Sequence, residues 1–208
     1  MKFAKWILFA CMALSMVGRA AAQDRMPPVP ADKQTDAQKK ATADLLSGPR
    51  SGLTGPFIPL LRSPELMDAF QKVGEVLRYH NSLGPKLTEF AIIMTARQWT
   101  VPAEWANHSQ GAIKAGLSAD IVQAVSEGRH PAAMAPDEEI VYDFAHELYQ
   151  NQCVSDVTYD RAVKKFGEQG VIDLTGTIGY YTALAMVLNV ARTPAPPGKA
   201  PFLAPFPH

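Results

Sequence analysis

Pro85-Lys86-Leu87-Thr88-Glu89-Phe90-Ala91-Ile92-Ile93-Met94-Thr95-Ala96-Arg97-Gln98-Trp99, then Thr100-Val101, then Pro102-Ala103-Glu104-Trp105-Ala106-Asn107-His108, is the stretch on which the fold turns. Its apolar residues recur at three and four positions rather than two, the period of a helix packed on one side. Pro85 and Pro102 suit first helical positions, where the missing N–H goes unmissed and φ is already set. Two helices joined by a short turn follow, the second folded back along the first.

The same punctuation extends in both directions. Ser63-Pro64-Glu65 opens a helix to about Tyr79, with Leu66, Phe70, Val73 and Leu77 on one face, and Gly116 marks the C-terminal cap of the Pro102 helix. Ser118 caps a short helix from Ala119 to about Glu127. Pro136-Asp137-Glu138-Glu139 starts a fifth, Ile140 to Gln150, and Ser155 a sixth that reaches Phe166. The last, Glu168 to Val190, is apolar on nearly all sides and is expected to be the buried central helix. No stretch alternates as a strand does, so the expected fold is all-α.

The densest polar cluster within these apolar helices lies between Glu89 and His108. Glu104 and His108 are four apart, which puts their Cβ atoms roughly 6 Å apart on one helix face. Glu89 sits on the preceding helix, and the antiparallel return brings it toward the other two. Three titratable groups in one pocket make a proton-transfer site, because an imidazole beside carboxylates exchanges protons near neutral pH. Left exposed, the Glu104–His108 pair would be worth only a few tenths of a kcal/mol. Glu-x-x-x-His offers two metal ligands without the second histidine of a zinc-binding His-Glu-x-x-His helix, so neither metal nor cofactor is expected. Trp105 either walls a pocket or fills core. Tyr180 and Tyr181 bring hydroxyls onto an apolar helix, where each needs a partner.

Leu83 to Ile93, Glu104-Trp105-Ala106-Asn107-His108, Ala115-Gly116-Leu117-Ser118 with Ile121, and Gly179 to Asn189 together resemble the carboxymuconolactone decarboxylase family, within the alkyl hydroperoxidase D-like superfamily. The resemblance runs from about Gly55 to Arg192. It implies a helical bundle assembled as trimers or hexamers, with a pocket near the subunit interface. In the peroxidase branch a glutamate is followed by a Cys-x-x-Cys pair and a histidine; counted from Glu89, the cysteine positions are Val101 and Glu104, and the histidine is His108. Both thiols are absent, so a disulfide-cycling peroxidase is not expected. The thiol-free branch decarboxylates a muconolactone, which implies proton transfer at a carbon beside an unsaturated lactone and a cationic clamp for carboxylate. On that footing His108, Glu104 and Glu89 are the catalytic candidates, while Arg97, His80, Trp105 and Tyr180 are the substrate-binding ones.

Composition frames the rest. The 208 residues carry 20 basic and 20 acidic side chains, 47% hydrophobic residues and 19% charged. No basic patch interleaved with aromatics exists, so a nucleic-acid partner is not expected. Residues 1–22 read as a signal peptide: Lys2 and Lys5, the apolar run Trp6 to Val17, then Ala20-Ala21-Ala22. That run falls short of the roughly 20 residues needed to span a bilayer, so no stable membrane insertion is expected after cleavage. A periplasmic or secreted protein follows, mildly acidic, with Cys153 as its one thiol and no internal disulfide. Residues 23–55 form an arm with a helix-like stretch from Asp32 to Leu46, packed on the domain or on a neighbouring subunit. Residues 56–192 form the domain, and 193–208 a Pro-rich tail whose Phe202, Leu203 and Phe206 strap a surface. The low charged fraction suits a homo-oligomer. A small-molecule substrate suits the pocket, while a non-catalytic ligand binder on the same fold and a peroxide-defence accessory dependent on Cys153 are the other readings.

Overall fold

In the computed structural model, which describes residues 24–196 and Leu203, every regular element is helical. A 3-10 turn, Ala31–Lys33, leads into α1 (Asp36–Ser47), α2 (Phe57–Leu60), α3 (Pro64–Tyr79), α4 (Pro85–Gln98), α5 (Pro102–Lys114), α6 (Ala119–Ser126), α7 (Pro136–Asn151) and α8 (Asp156–Ala191). The all-α expectation is met, and α3, α4, α5 and α7 each begin on the proline that the sequence offers at the first turn. Ser118 and Ser155 cap α6 and α8 by accepting backbone hydrogen bonds from Asp120 and Thr158. Residues 1–22, expected from the sequence to be a signal peptide, lie outside the described residues, as does the tail apart from residues 193–196 and Leu203, which is buried.

The arm packs on its own domain. Ala41 and Leu45 of α1 are buried with Phe57, Leu60, Leu61, Met67, Leu77, Tyr180 and Leu184 in one apolar cluster. Helix α1 starts at Asp36 rather than Asp32, because Thr35 and Gln38 form a reciprocal capping box there. Helix α2 was not anticipated: four residues are too few to show a period.

The central helix is α4. Leu87, Thr88, Phe90, Ala91, Ile92, Ile93, Thr95, Ala96 and Arg97 are all buried, and the helix packs against α3, α5, α6, α7 and α8. The expectation that the last helix would hold that place is corrected. Helix α8 is two helical segments that meet at Gly167, whose φ of 71° and ψ of 172° are non-helical, so the expected break between Phe166 and Glu168 is present. Beyond it one side of α8 packs inward through Leu174, Ile178, Tyr181, Leu184 and Leu188, while Ile172, Met186 and Val190 stay exposed. By length and composition α8 could cross a bilayer, yet half of its most apolar window is buried within the bundle. Helix α3 is likewise rotated from its expected orientation: Met67, Gln71, Gly74 and Leu77 face inward, while Leu66 and Val73 are exposed. Apolar character alone does not decide which face is covered when an element has more apolar surface than its own chain can bury.

The connection between α3 and α4 is pinned. The Asn81 side-chain amide donates to Thr88 Oγ1 (2.7 Å), and the Ser82 amide and hydroxyl both donate to Asp173 of α8 (2.8 and 2.7 Å). These bonds fix the end of α3 against the start of α4, which places Arg78 beside Glu89.

Candidate active site

Helices α4 and α5 are joined by Trp99, Thr100 and Val101, tight enough that Thr100 takes a φ of 46°. The turn folds α5 back along α4 so that Glu89 meets His108. Nδ1 of His108 lies 2.7 Å from Glu89 Oε2, and Nε2 lies 3.1 Å from Glu104 Oε2. The three residues that sequence spacing singled out therefore form one cluster. It is buried: Glu104 is 5% exposed and His108 6%, which removes the alternative of a solvated surface pair.

The protonation state follows from the partners. Ionised carboxylates only accept hydrogen bonds, so an imidazole facing one at each nitrogen is satisfied when both nitrogens carry protons. Burial alone would push the His108 pKa down, but its contacts with Glu104 and Glu89 outweigh that cost and lift it to about 9. At neutral pH the site holds an imidazolium between two carboxylates. Arg78 of α3 stands 3.7 Å from Glu89 Oε1, and the Tyr181 ring packs edge-on to the His108 ring at 5.2 Å. Burial pushes the Tyr181 phenol well above its usual pKa, so that hydroxyl stays protonated.

Gly111, one turn beyond His108, makes room for this arrangement. A Cβ built there would stand 3.0 Å from Glu89 Oε2 and 3.1 Å from its Cδ, closer than packed side chains normally approach.

The cluster opens into a cavity of about 770 Å³, in the range of small-molecule sites. Glu89, Glu104, His108, Tyr180 and Tyr181 line its inner end, with Asn107 and Arg78 beside them. Arg50 of the arm, Phe57 of α2 and tail residues Thr193 to Pro196 also line it. The arm is tied down there: the Arg25 amide donates to Ala191 O (2.8 Å) and Arg62 donates to Pro27 O (2.7 Å).

Three residues expected to contact substrate do not line this cavity. Arg97 is two turns along α4 from Glu89, a rise of about 12 Å, and is buried at the far end of that helix. His80 caps the C-terminus of α3 and is exposed; two residues past Arg78, it points roughly 200° round the helix from it. Trp105 neighbours Glu104, but one helical step turns it into the core with Phe90 and Val141, and it is fully buried. Tyr180 does line the cavity. Cys153 is exposed in the α7–α8 connection and does not.

The site also includes residues that the sequence did not flag. Arg78 had a usable signal, since it closes an amphipathic helix one short loop before Glu89; Arg50 had none, standing in an arm without periodicity. The arrangement as a whole defines an all-helical protein with a buried acid/base cluster at the end of a cavity. Residues 64–147, from α3 through most of α7, match the model of the carboxymuconolactone decarboxylase family. The match ends before α8, and the resemblance seen in Gly179 to Asn189 lies beyond it. No curated protein matches the chain.

Proposed function

We propose that the protein is an exported, cofactor-free lyase or isomerase that moves a proton on a small carboxylated or lactone-like substrate. The observation behind this reading is the imidazole held between two carboxylates at the inner end of a cavity of ligand size. The resemblance adds a second support: Glu104 stands where the peroxidase branch has the cysteine nearer the histidine, so a carboxylate faces the imidazole in place of a thiol.

His108 is the proton carrier. In a decarboxylation the C–C bond to the carboxylate breaks, CO2 leaves, and the electron pair passes into the conjugated carbonyl. The imidazolium N–H then protonates the carbon, and water returns a proton to the ring. Glu104 and Glu89 hold the ring in place and stabilise its charged form, and either accepts the proton where the reaction is an isomerisation. General acid catalysis of this kind is worth about 10²- to 10⁴-fold. Turnover of carboxylated lactones, followed by CO2 release and by ultraviolet absorbance, is expected to fall by about that factor in His108→Ala. Unchanged turnover of a substrate found in that screen would remove His108 from the mechanism.

Export rests on the composition of residues 1–22, and cell fractionation tests it: a mature chain in the periplasm or medium is expected, and a full-length cytoplasmic chain contradicts it. Assembly into a homo-oligomer is supported by the apolar residues that α3 and α8 leave exposed, Leu66, Val73, Val76, Ile172, Met186 and Val190.

A further inference from the structure

We propose that Arg50 of the arm and the Tyr180 hydroxyl of α8, both outside the family-matched stretch, form a binding subsite for the carboxylate of a small organic acid. The two groups belong to distant parts of the chain, and both line the cavity that contains His108.

Arg50 follows α1, and its guanidinium lies 4.4 Å above the Phe57 ring. No carboxylate among the described residues lies within ion-pair distance of it, and its Nη2 is removed from solvent without a well-formed hydrogen bond. Arg78, the other arginine on the cavity wall, is already paired with Glu89. Tyr180 is 8% exposed, and its hydroxyl likewise lacks a well-formed hydrogen bond. Arg50 is near enough to donate weakly to that oxygen, which still leaves the phenol proton without an acceptor. Burial pushes the phenol up to about 12, so at neutral pH it is a donor. The same hydroxyl is close enough to feel the charges of Arg50, Glu104 and Arg78, which puts it beside the acid/base cluster.

Gly74 lets the two groups meet, because they fill the space that a side chain there would take. A Cβ built on Gly74 would overlap the Tyr180 hydroxyl and sit 2.7 Å from Arg50 Nη2. Glycine inside a helix is a cost in conformational entropy, and here it lets two donors converge on one spot. A phenol proton without an acceptor and a guanidinium without a carboxylate are completed by a group that offers only acceptors and a negative charge. A carboxylate meets that requirement, and arginine binds it with charge-assisted bonds. The carboxylate subsite stands on this geometry alone; that the bound acid then presents its reacting carbon to His108 rests on the proton-transfer reading.

Benzoate and its uncharged analogue benzamide, titrated calorimetrically, test the subsite without knowledge of the natural substrate. The full chain is expected to bind benzoate and not benzamide. Arg50→Gln is expected to weaken benzoate at least about tenfold, the loss of one charge-assisted bond, while the His108 ring in that variant still titrates near 9. Tyr180→Phe is expected to weaken benzoate as well, while the far-ultraviolet spectrum of the ligand-free protein stays native. Equal benzoate affinity in the wild type and Arg50→Gln, no benzoate binding by the wild type, or Arg50-dependent binding of inorganic phosphate but not of benzoate would each overturn the proposal. None of those outcomes bears on whether His108→Ala abolishes turnover.

Discussion

If His108 is an imidazolium clamped between Glu89 and Glu104, the protein must lose stability as that proton leaves. In the unfolded chain the histidine titrates near 6.5, whereas in the fold it titrates near 9. Below about pH 6.5 both states hold the proton and the stabilisation is complete. Between the two values the native state binds a proton that the unfolded state has released, so the unfolding free energy falls with rising pH, by up to about 1.4 kcal/mol per unit. Across the whole window the loss is about 3 kcal/mol, little reduced by solvent because the side chain is only 8% exposed. The Tyr149 and Tyr180 phenols, pushed up to about 12, titrate above this window. The perturbation is His108→Gln, which keeps a polar side chain but carries no titrating group. Urea unfolding followed by tryptophan fluorescence, from about pH 6 to about 9.5 at a fixed protomer concentration, gives the two curves. The wild-type curve is expected to converge on that of the variant by about 3 kcal/mol between about pH 6.5 and 9. Because His108→Gln leaves two carboxylates facing each other without the imidazolium between them, Glu104→Gln is a second reference, expected to show a shallower slope than the wild type. Parallel curves for the wild type and His108→Gln would refute the clamp.

Gly111→Ala tests the clearance in front of Glu89: the added methyl displaces the carboxylate from His108 Nδ1, and the expected result is a lower His108 pKa with a native far-ultraviolet spectrum. An unshifted titration would show that α5 gives way instead. Light scattering of the wild type at micromolar concentration is expected to report an oligomer, and Ile172→Lys, which charges the exposed side of α8, to shift it toward monomer. A monomeric wild type would contradict assembly through that face.

The parts of the fold that sequence made legible are those with local causes. Pro64, Pro85, Pro102 and Pro136 mark helix starts because a first-turn proline loses no hydrogen bond, and Ser118 and Ser155 mark them through a side-chain acceptor. Glu104 and His108 were readable because a spacing of four fixes a shared face, and Glu89 because only a short turn, Trp99 to Val101, separates its helix from theirs. What remained hidden depends on distant packing. The inward side of α3 is chosen by α1 and α8, which contribute Leu45 and Tyr180 to the cluster around it. The placement of Arg97, His80 and Trp105 away from the cavity is an angular matter of one to two residues, or of a helix length, which residue type alone does not report. Arg50 reaches the cavity through an arm whose course is set by caps and tertiary contacts rather than by any period.

The most direct test of the central claim is an NMR titration of the His108 ring, assigned by comparison with His108→Gln and followed through its carbon-bound protons from about pH 5 to about 10.5. A midpoint near 9, falling markedly in Glu104→Gln, is the predicted result. A midpoint at or below the ordinary value of about 6.5 in the wild type would mean that the two carboxylates do not hold an imidazolium, and the proposed proton carrier would be lost with it.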